Sequence, residues 1–384
     1  MDEQAFLAPA RCFCEEFEGP KDPALACSGC KVVYYCGAAH QKEDRKSHKA
    51  ACSFIKQTRE KLEHEESALR NNPGAGEWCM PADVFTTRVG RFWSIDGTRA
   101  YMKARFAAAN ALLLVHTIPA VEMALAHFTD MLRLNRNDDL GVADIVPVLL
   151  LRLDREQECY DFLKWWAVTS AETDPEHDYA DVNLPYLDIH GADALEREEG
   201  IFQRRGRTSL SHLATLTLLK LHFFLELKGK FTGHGTTKGR SPSQQIPKTG
   251  GSLMETRTSQ PKALDMIQMN IQYSRLMHAV NNANQHFWEL LVDGATPVVP
   301  KGAYPPAPGA IEEAHLALHH TQRAWQESKG AIKTIEEQDI ASPGAKIIRV
   351  YNPEGAKRPI GDVARWKGTE TLDLIKSSKP SDAS

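Results

Sequence analysis

The chain of 384 residues has no long apolar run and no excess of positive charge. No stretch approaches the roughly 18 continuous apolar residues of a membrane span, and the start lacks a basic region followed by an apolar one. With 46 Lys and Arg against 50 Asp and Glu, the formal net charge is -4, so no global field attracts nucleic acid or an anionic membrane. We therefore expect an intracellular protein, nuclear or cytoplasmic, without membrane contact.

Cysteine is scarce outside one short segment. Six of the eight cysteines lie between positions 12 and 52, and only Cys79 and Cys159 follow them. This distribution suits a metal-binding module in a reducing compartment better than a secreted domain held by disulfides.

The N-terminal segment contains four closely spaced pairs of residues that can bind zinc. They are Cys12 and Cys14, Cys27 and Cys30, Cys36 and His40, and His48 and Cys52. Structural zinc takes thiolate and imidazole ligands in fours, so eight ligands fit two tetrahedral Zn2+ ions. With all ligands committed, neither ion keeps the open position that a catalytic zinc needs.

This pattern resembles the MYND finger, over roughly the first seventh of the chain. The matching motifs are Tyr35-Cys36, His40-Gln41 and His48-Lys49-Ala50-Ala51-Cys52. The chain departs from the family in its first pair, C-x-C instead of C-x-x-C, and in His40, which replaces a cysteine. The family interleaves its pairs, which by resemblance assigns one zinc to Cys12, Cys14, Cys36 and His40, and the other to Cys27, Cys30, His48 and Cys52. Spacing alone also permits a sequential pairing of the same residues.

The resemblance implies a protein interaction and no reaction, because MYND fingers bind short proline-containing peptides along a small groove. By that resemblance Tyr34, Tyr35 and Gln41 are candidate contact residues; the alternative is that the tyrosines only pack around zinc. As a whole the chain resembles fungal MYND-finger proteins with a helical C-terminal region and no SET domain. We therefore predict a non-enzymatic, zinc-dependent adaptor for other proteins, with transcriptional regulation as a possible setting.

Beyond the finger, apolar residues at helical spacing predict an all-α region. Ten acids and one arginine between Glu172 and Glu199 predict a loop, and seven cations among Gly, Ser and Thr residues at 228–262 predict disorder. The expected units are a finger at 1–56, a tether at 57–92, a helical-hairpin domain at 93–227 with an acidic loop at 172–199, a disordered basic linker at 228–262, further helices at 263–340 and a mostly irregular tail at 341–384.

Two segments of the helical domain overlay when one is offset by 37 residues. Leu112 to Leu114 then fall on Leu149 to Leu151, Leu125 on Phe162, and Phe128 on Trp165. The pattern is similar to tetratricopeptide (TPR) hairpins, which stack to bury a shared face, although Pro147 departs from it. The alternative is an irregular helical bundle.

Two other functions compete with the adaptor. A lysine methyltransferase is suggested by the family that joins this finger to a SET domain, but the chain has no Asn-His-Ser-Cys segment and no later cysteine cluster. A nucleic-acid-binding regulator would contact DNA through Lys42, Arg45, Lys46 and Lys49 or through the basic linker at 228–262. Glu43 and Asp44 interrupt those cations and no aromatic residues interleave with them, so direct nucleic-acid binding is not favoured.

Overall fold

The structure, a computed structural model, describes residue 7 and the ranges 25–74, 80–169, 178–198, 201–202, 208–232, 263–299 and 305–338. Cys12 and Cys14, most of the predicted linker and the predicted tail lie outside these residues.

The finger begins with a two-stranded antiparallel sheet, β1 (Leu25–Ala26) and β2 (Tyr34–Tyr35). A tight turn joins the strands: the Lys31 N–H donates to the Cys27 carbonyl at 2.9 Å, and the Cys27 N–H donates to the Val33 carbonyl at 2.9 Å. Lys31 has φ of 64°, in the left-handed region that suits a tight turn. The turn therefore presents Cys27 and Cys30 together.

Helix α1 runs without a break from Ala38 to Arg70. Its buried residues Ile55, Leu62 and Leu69 repeat every seven positions and pack along α3 (Arg99–Leu112). The predicted boundary at residue 56 thus falls inside one helix, because the finger supplies its first turns and the helical region anchors the rest. The helix ends at Arg70, and Gly74 shortly after it has φ of 90°.

The rest of the described chain is mostly helical, as predicted. After α1 and α3, in chain order, the helices are α2 (Val84–Thr87), α4 (Ile118–Leu134), α5 (Val146–Arg152), α6 (Glu156–Val168), α7 (Leu210–Thr232), α8 (Ala263–Ala283), α9 (Phe287–Val292), α10 (Ile311–Glu327) and α11 (Ala331–Glu336). Short 3-10 segments lie at Phe92–Ser94, Asp96–Thr98 and Val142–Asp144.

Helix α7 is the centre of the helical region and packs on α5, α6, α8 and α10. By length and composition its Leu210–Lys230 segment could cross a membrane, but 78% of the most apolar window is buried inside the protein. Burial against neighbouring helices therefore accounts for its apolar sequence. The helix continues to Thr232, past the predicted start of the linker at 228.

The offset of 37 residues relates part of the predicted repeat. Helix α4 shifted by 37 positions overlies α6, and Leu125, Phe128, Phe162 and Trp165 are all buried. Helices α3 and α5 do not overlie in the same way. Helix α3 has 14 residues, whereas α5 has only 7 and begins at Val146, well after the position that corresponds to the start of α3. Pro147 stands in the first turn of α5, where proline is tolerated.

The described part of the acidic segment, 178–198, is irregular and tied to the helices. The Asp161 carboxylate on α6 accepts the N–H groups of Gly191 and Ala192 at 2.8 and 2.9 Å. The buried Lys220 amine on α7 donates to the carbonyls of Ala194 and Glu196 at 2.7 and 2.9 Å. The segment is therefore a fixed strap across α6 and α7.

The finger also contacts the helical region directly. The buried Thr117 hydroxyl, just before α4, donates to the carbonyl of Val32 in the finger at 2.8 Å. Val32 and Val33 are buried and belong to the same apolar cluster as the helical core. Packing and a buried hydrogen bond thus fix the finger against the start of α4.

Candidate metal centre

Four potential zinc ligands from two elements converge in the finger. Cys27 and Cys30 come from the turn between the strands, while His48 and Cys52 lie one helical turn apart on α1. Their ligand atoms all lie within 4.8 Å of one another. The Sγ atoms of Cys27 and Cys52 are 3.5 Å apart, and Cys30 Sγ is 3.4 Å from His48 Nε2.

These distances suit a tetrahedral zinc ion. With Zn–S bonds of about 2.3 Å and Zn–N bonds of about 2.0 Å, the edges of a regular tetrahedron measure about 3.5–3.8 Å. Three thiolates and one imidazole are also a set that structural zinc prefers. Both the geometry and the chemistry of the donors therefore fit the ion, and such a set fills all four positions.

The thiol groups show why this cluster needs a cation. Burial raises the pKa of Cys30 to about 12, and burial together with the Cys27 sulfur raises that of Cys52. Burial also opposes charge on Cys27, but hydrogen bonds from the Cys30 N–H and from His48 lower its pKa to about 7. Three adjacent thiolates can coexist only when a cation offsets their charge, and a coordinated zinc ion does so.

The third predicted pair also lies together. Cys36 Sγ is 2.7 Å from His40 Nδ1, at the entrance to α1. This is a hydrogen-bond distance, and binding one zinc would require the two atoms to separate by somewhat less than 1 Å. Cys12 and Cys14, which the resemblance assigns to the same ion, lie outside the described residues.

Tyr35 supports the centre from inside. Its side chain is only 2% exposed, its ring meets that of His48 edge-on at 6.3 Å, and its hydroxyl donates to Asp44 at 2.6 Å. Asp44 also accepts from the Ser47 hydroxyl, which fixes the carboxylate on α1. Tyr35 thus packs around the metal centre, while Tyr34 and Gln41 are half-buried and reach the surface.

Sequence reasoning missed Gly29 and Arg59. A Cβ atom added to Gly29 would lie 2.5 Å from Cys52 Sγ, so only glycine lets the turn approach this ligand. The Arg59 guanidinium on α1 donates to the Gly29 carbonyl at 2.9 Å and holds the turn against the helix. The glycine between the paired cysteines Cys27 and Cys30 was the feature of the sequence that could have indicated a close approach of the backbone to the metal centre.

We expect Gly29→Ala to weaken zinc binding by about 10–100-fold, because the added methyl displaces Cys52 Sγ from its position. Competition with a chromophoric chelator measures the change. Gly37→Ala is the matched control, since a Cβ there has nothing within 4 Å and the backbone is extended. Equal zinc affinity in both variants would contradict the role given to Gly29.

Comparison with known families and proteins agrees with this geometry over the N-terminal segment. The model of the MYND finger family matches residues 10–52. No curated protein and no solved structure matches the chain. MYND fingers are non-catalytic domains that generally mediate protein–protein interactions. The chain therefore carries a MYND-type zinc finger at its N-terminus, followed by a mostly helical region.

Proposed function

We propose that this protein is a zinc-dependent adaptor that joins protein partners and catalyses no reaction. The observation that carries the proposal is the convergence of Cys27, Cys30, His48 and Cys52, which fills a tetrahedral zinc site with protein ligands. A zinc ion with four protein ligands has no position for water or substrate, so its role is to fold a recognition surface.

The proposed peptide surface lies beside the strands of the finger. Tyr34 and Gln41 are half-buried, and Leu25 on β1 is 43% exposed. A tyrosine ring and an aliphatic side chain suit a proline-containing peptide, whose extended conformation costs little entropy to bind. The resemblance to MYND fingers supports the same kind of ligand.

A second zinc ion and a second binding surface complete the proposal. Cys36 and His40, with Cys12 and Cys14, would hold the other ion and stiffen the start of α1. On the helical region, Leu264 is 59% exposed and Val298 is 64% exposed, apolar groups that a partner could cover. An intracellular setting, nuclear or cytoplasmic, and a role in transcriptional regulation belong to this proposal.

The methyltransferase alternative gains no support from the described residues. Within them the only strands are β1 and β2, of two residues each, whereas a SET domain is built from strands. Among the residues that the structure describes, α3 to α11 form the core of the helical region without a sheet.

An array of proline-containing peptides tests the adaptor proposal. The zinc-loaded full chain should capture a subset of the peptides, and replacing their prolines with alanine should remove the signal. Cys52→Ser should also abolish capture, because the finger then loses a ligand. Capture that does not depend on proline, or that survives both chelation and Cys52→Ser, would refute recognition by the finger.

A further inference from the structure

Charge is distributed unevenly along α1. The second half of the helix is neutralised by i,i+4 ion pairs, Lys56–Glu60 and Arg59–Glu63 at 3.6 Å and Glu66–Arg70 at 2.6 Å. The first half contains four exposed cations with no ion pair or hydrogen bond to any residue the structure describes. They are Lys42, Arg45, Lys46 and Lys49.

These four cations form one continuous strip, which we name the basic face. Spacings of three, four and seven residues place them on one side of the helix, over about 10 Å of its axis. The neighbouring acids do not neutralise the strip. Asp44 accepts hydrogen bonds from Tyr35 and Ser47. Glu43, three residues before Lys46, forms no ion pair with any residue that the structure describes.

The four cations of the basic face do not stabilise helix α1. Like charges three and four residues apart destabilise a helix, and the first turn of α1, which precedes Lys42, has no acidic residue that would offset them. The N-cap residue Gly37 makes no side-chain hydrogen bond that could compensate. Clustered like charges that do not stabilise their own helix are a feature of functional sites.

We infer that the basic face binds an acidic stretch of the protein that the finger recognises, which deepens the proposed function and rests on it. Gln41, a proposed contact residue, lies on the same helix four residues before Arg45, so a partner held by the finger can extend along the face. A strip of about 10 Å matches roughly three residues of extended peptide. Duplex DNA is less suited, because it rewards a broad cationic surface and this chain has a net charge of -4.

The test measures fluorescence anisotropy of a labelled oligoglutamate peptide and a labelled short DNA duplex with the zinc-loaded full chain, at low and physiological ionic strength. Lys42→Glu/Lys46→Glu reverses two charges of the basic face. Lys61→Glu/Lys333→Glu makes the same change in total charge at exposed positions on α1 and α11. Arg45→Gln/Lys49→Gln is a milder second variant of the face.

At low ionic strength we expect Lys42→Glu/Lys46→Glu to weaken peptide binding by about tenfold, the milder variant by about threefold, and the control pair by less than about twofold. Zinc content should not change, because the replaced side chains are exposed. Equal losses in the face variants and the control pair, or no loss, would overturn the inference. Tighter binding of the duplex through the same lysines would assign the face to nucleic acid instead.

The two levels of the proposal fail in different ways. If Cys52→Ser abolishes capture of proline-containing peptides but the face variants bind oligoglutamate normally, only the basic face is misassigned. If the face variants lose oligoglutamate binding while peptide capture survives Cys52→Ser, recognition by the finger is what fails.

Discussion

Cys52→Ser is expected to release the zinc ion bound by Cys27, Cys30, His48 and Cys52 and to unfold the finger while most helical structure persists. Structural zinc contributes on the order of 10–16 kcal/mol of apparent free energy in small fingers, more than any other single feature of this segment. Cys52 is also the ligand that Gly29 approaches most closely. Elemental analysis and far-ultraviolet circular dichroism measure the two effects.

The continuity of α1 determines how far this unfolding spreads. Residues 38–52 have no buried side chain, no capping side chain and an unfavourable basic face, and a free helix of that length is marginal in water. From Ile55 onward, Leu62 and Leu69 hold α1 against α3. We therefore expect a loss of only about a tenth of the helical signal, the share of helical residues in 38–52.

The matched control is Cys159→Ser, which removes a buried cysteine from α6, outside the finger. It should leave the zinc content unchanged although it places a hydroxyl in the core. Collapse of the whole helical signal on chelation or in Cys52→Ser would mean that the finger and the helical region form one cooperative core. A stoichiometry near one zinc in the unmodified chain would show that the pair Cys36 and His40 does not hold an ion.

Glu327→Leu is expected to lower the stability of the helical region by about 3–5 kcal/mol. Glu327 at the end of α10 accepts both arms of the Arg152 guanidinium at 2.9 Å, and the two side chains are only 7% and 3% exposed. A second arginine, Arg323, also approaches this carboxylate, with its Nε 3.7 Å from Glu327 Oε1. Removing the acid takes a shared carboxylate away from two guanidinium groups.

Thermal unfolding should show this loss as a decrease in melting temperature on the order of 10 °C. Arg152→Met should cost less, because Glu327 keeps Arg323 as a partner. The double variant Arg152→Met/Glu327→Leu should recover part of the loss, because it removes both charges of the buried pair. Burial and the two arginines lower the pKa of the neighbouring His116 to about 4, so it adds no third positive charge near neutral pH.

The exposed pair Lys333 and Glu337, at 3.9 Å, supplies the control for the buried pair. Lys333→Met should change the free energy of unfolding by less than about 0.5 kcal/mol. If Glu327→Leu and Lys333→Met had equal effects, the buried pair would not be holding α5 to α10.

The sequence by itself determined the finger and the helical class. Paired ligands separated by two or three residues face one side of a turn or a helix, so Cys27 with Cys30 and His48 with Cys52 follow from local geometry alone. Apolar spacing likewise predicts helices, because residues three and four positions apart in the sequence lie on the same face of a helix.

Only the tertiary structure decided which distant residues and helices contact one another. It brought the turn of Cys27 to Cys52, placed Tyr35 inside on Asp44, and paired Arg152 with a carboxylate 175 positions away. It also showed that α1 continues past the boundary expected at residue 56. The second part of α1 packs on α3, which is distant in the sequence, so no local pattern indicated this. Periodicity states which side chains will be buried, whereas their partners depend on distant segments that no local pattern encodes.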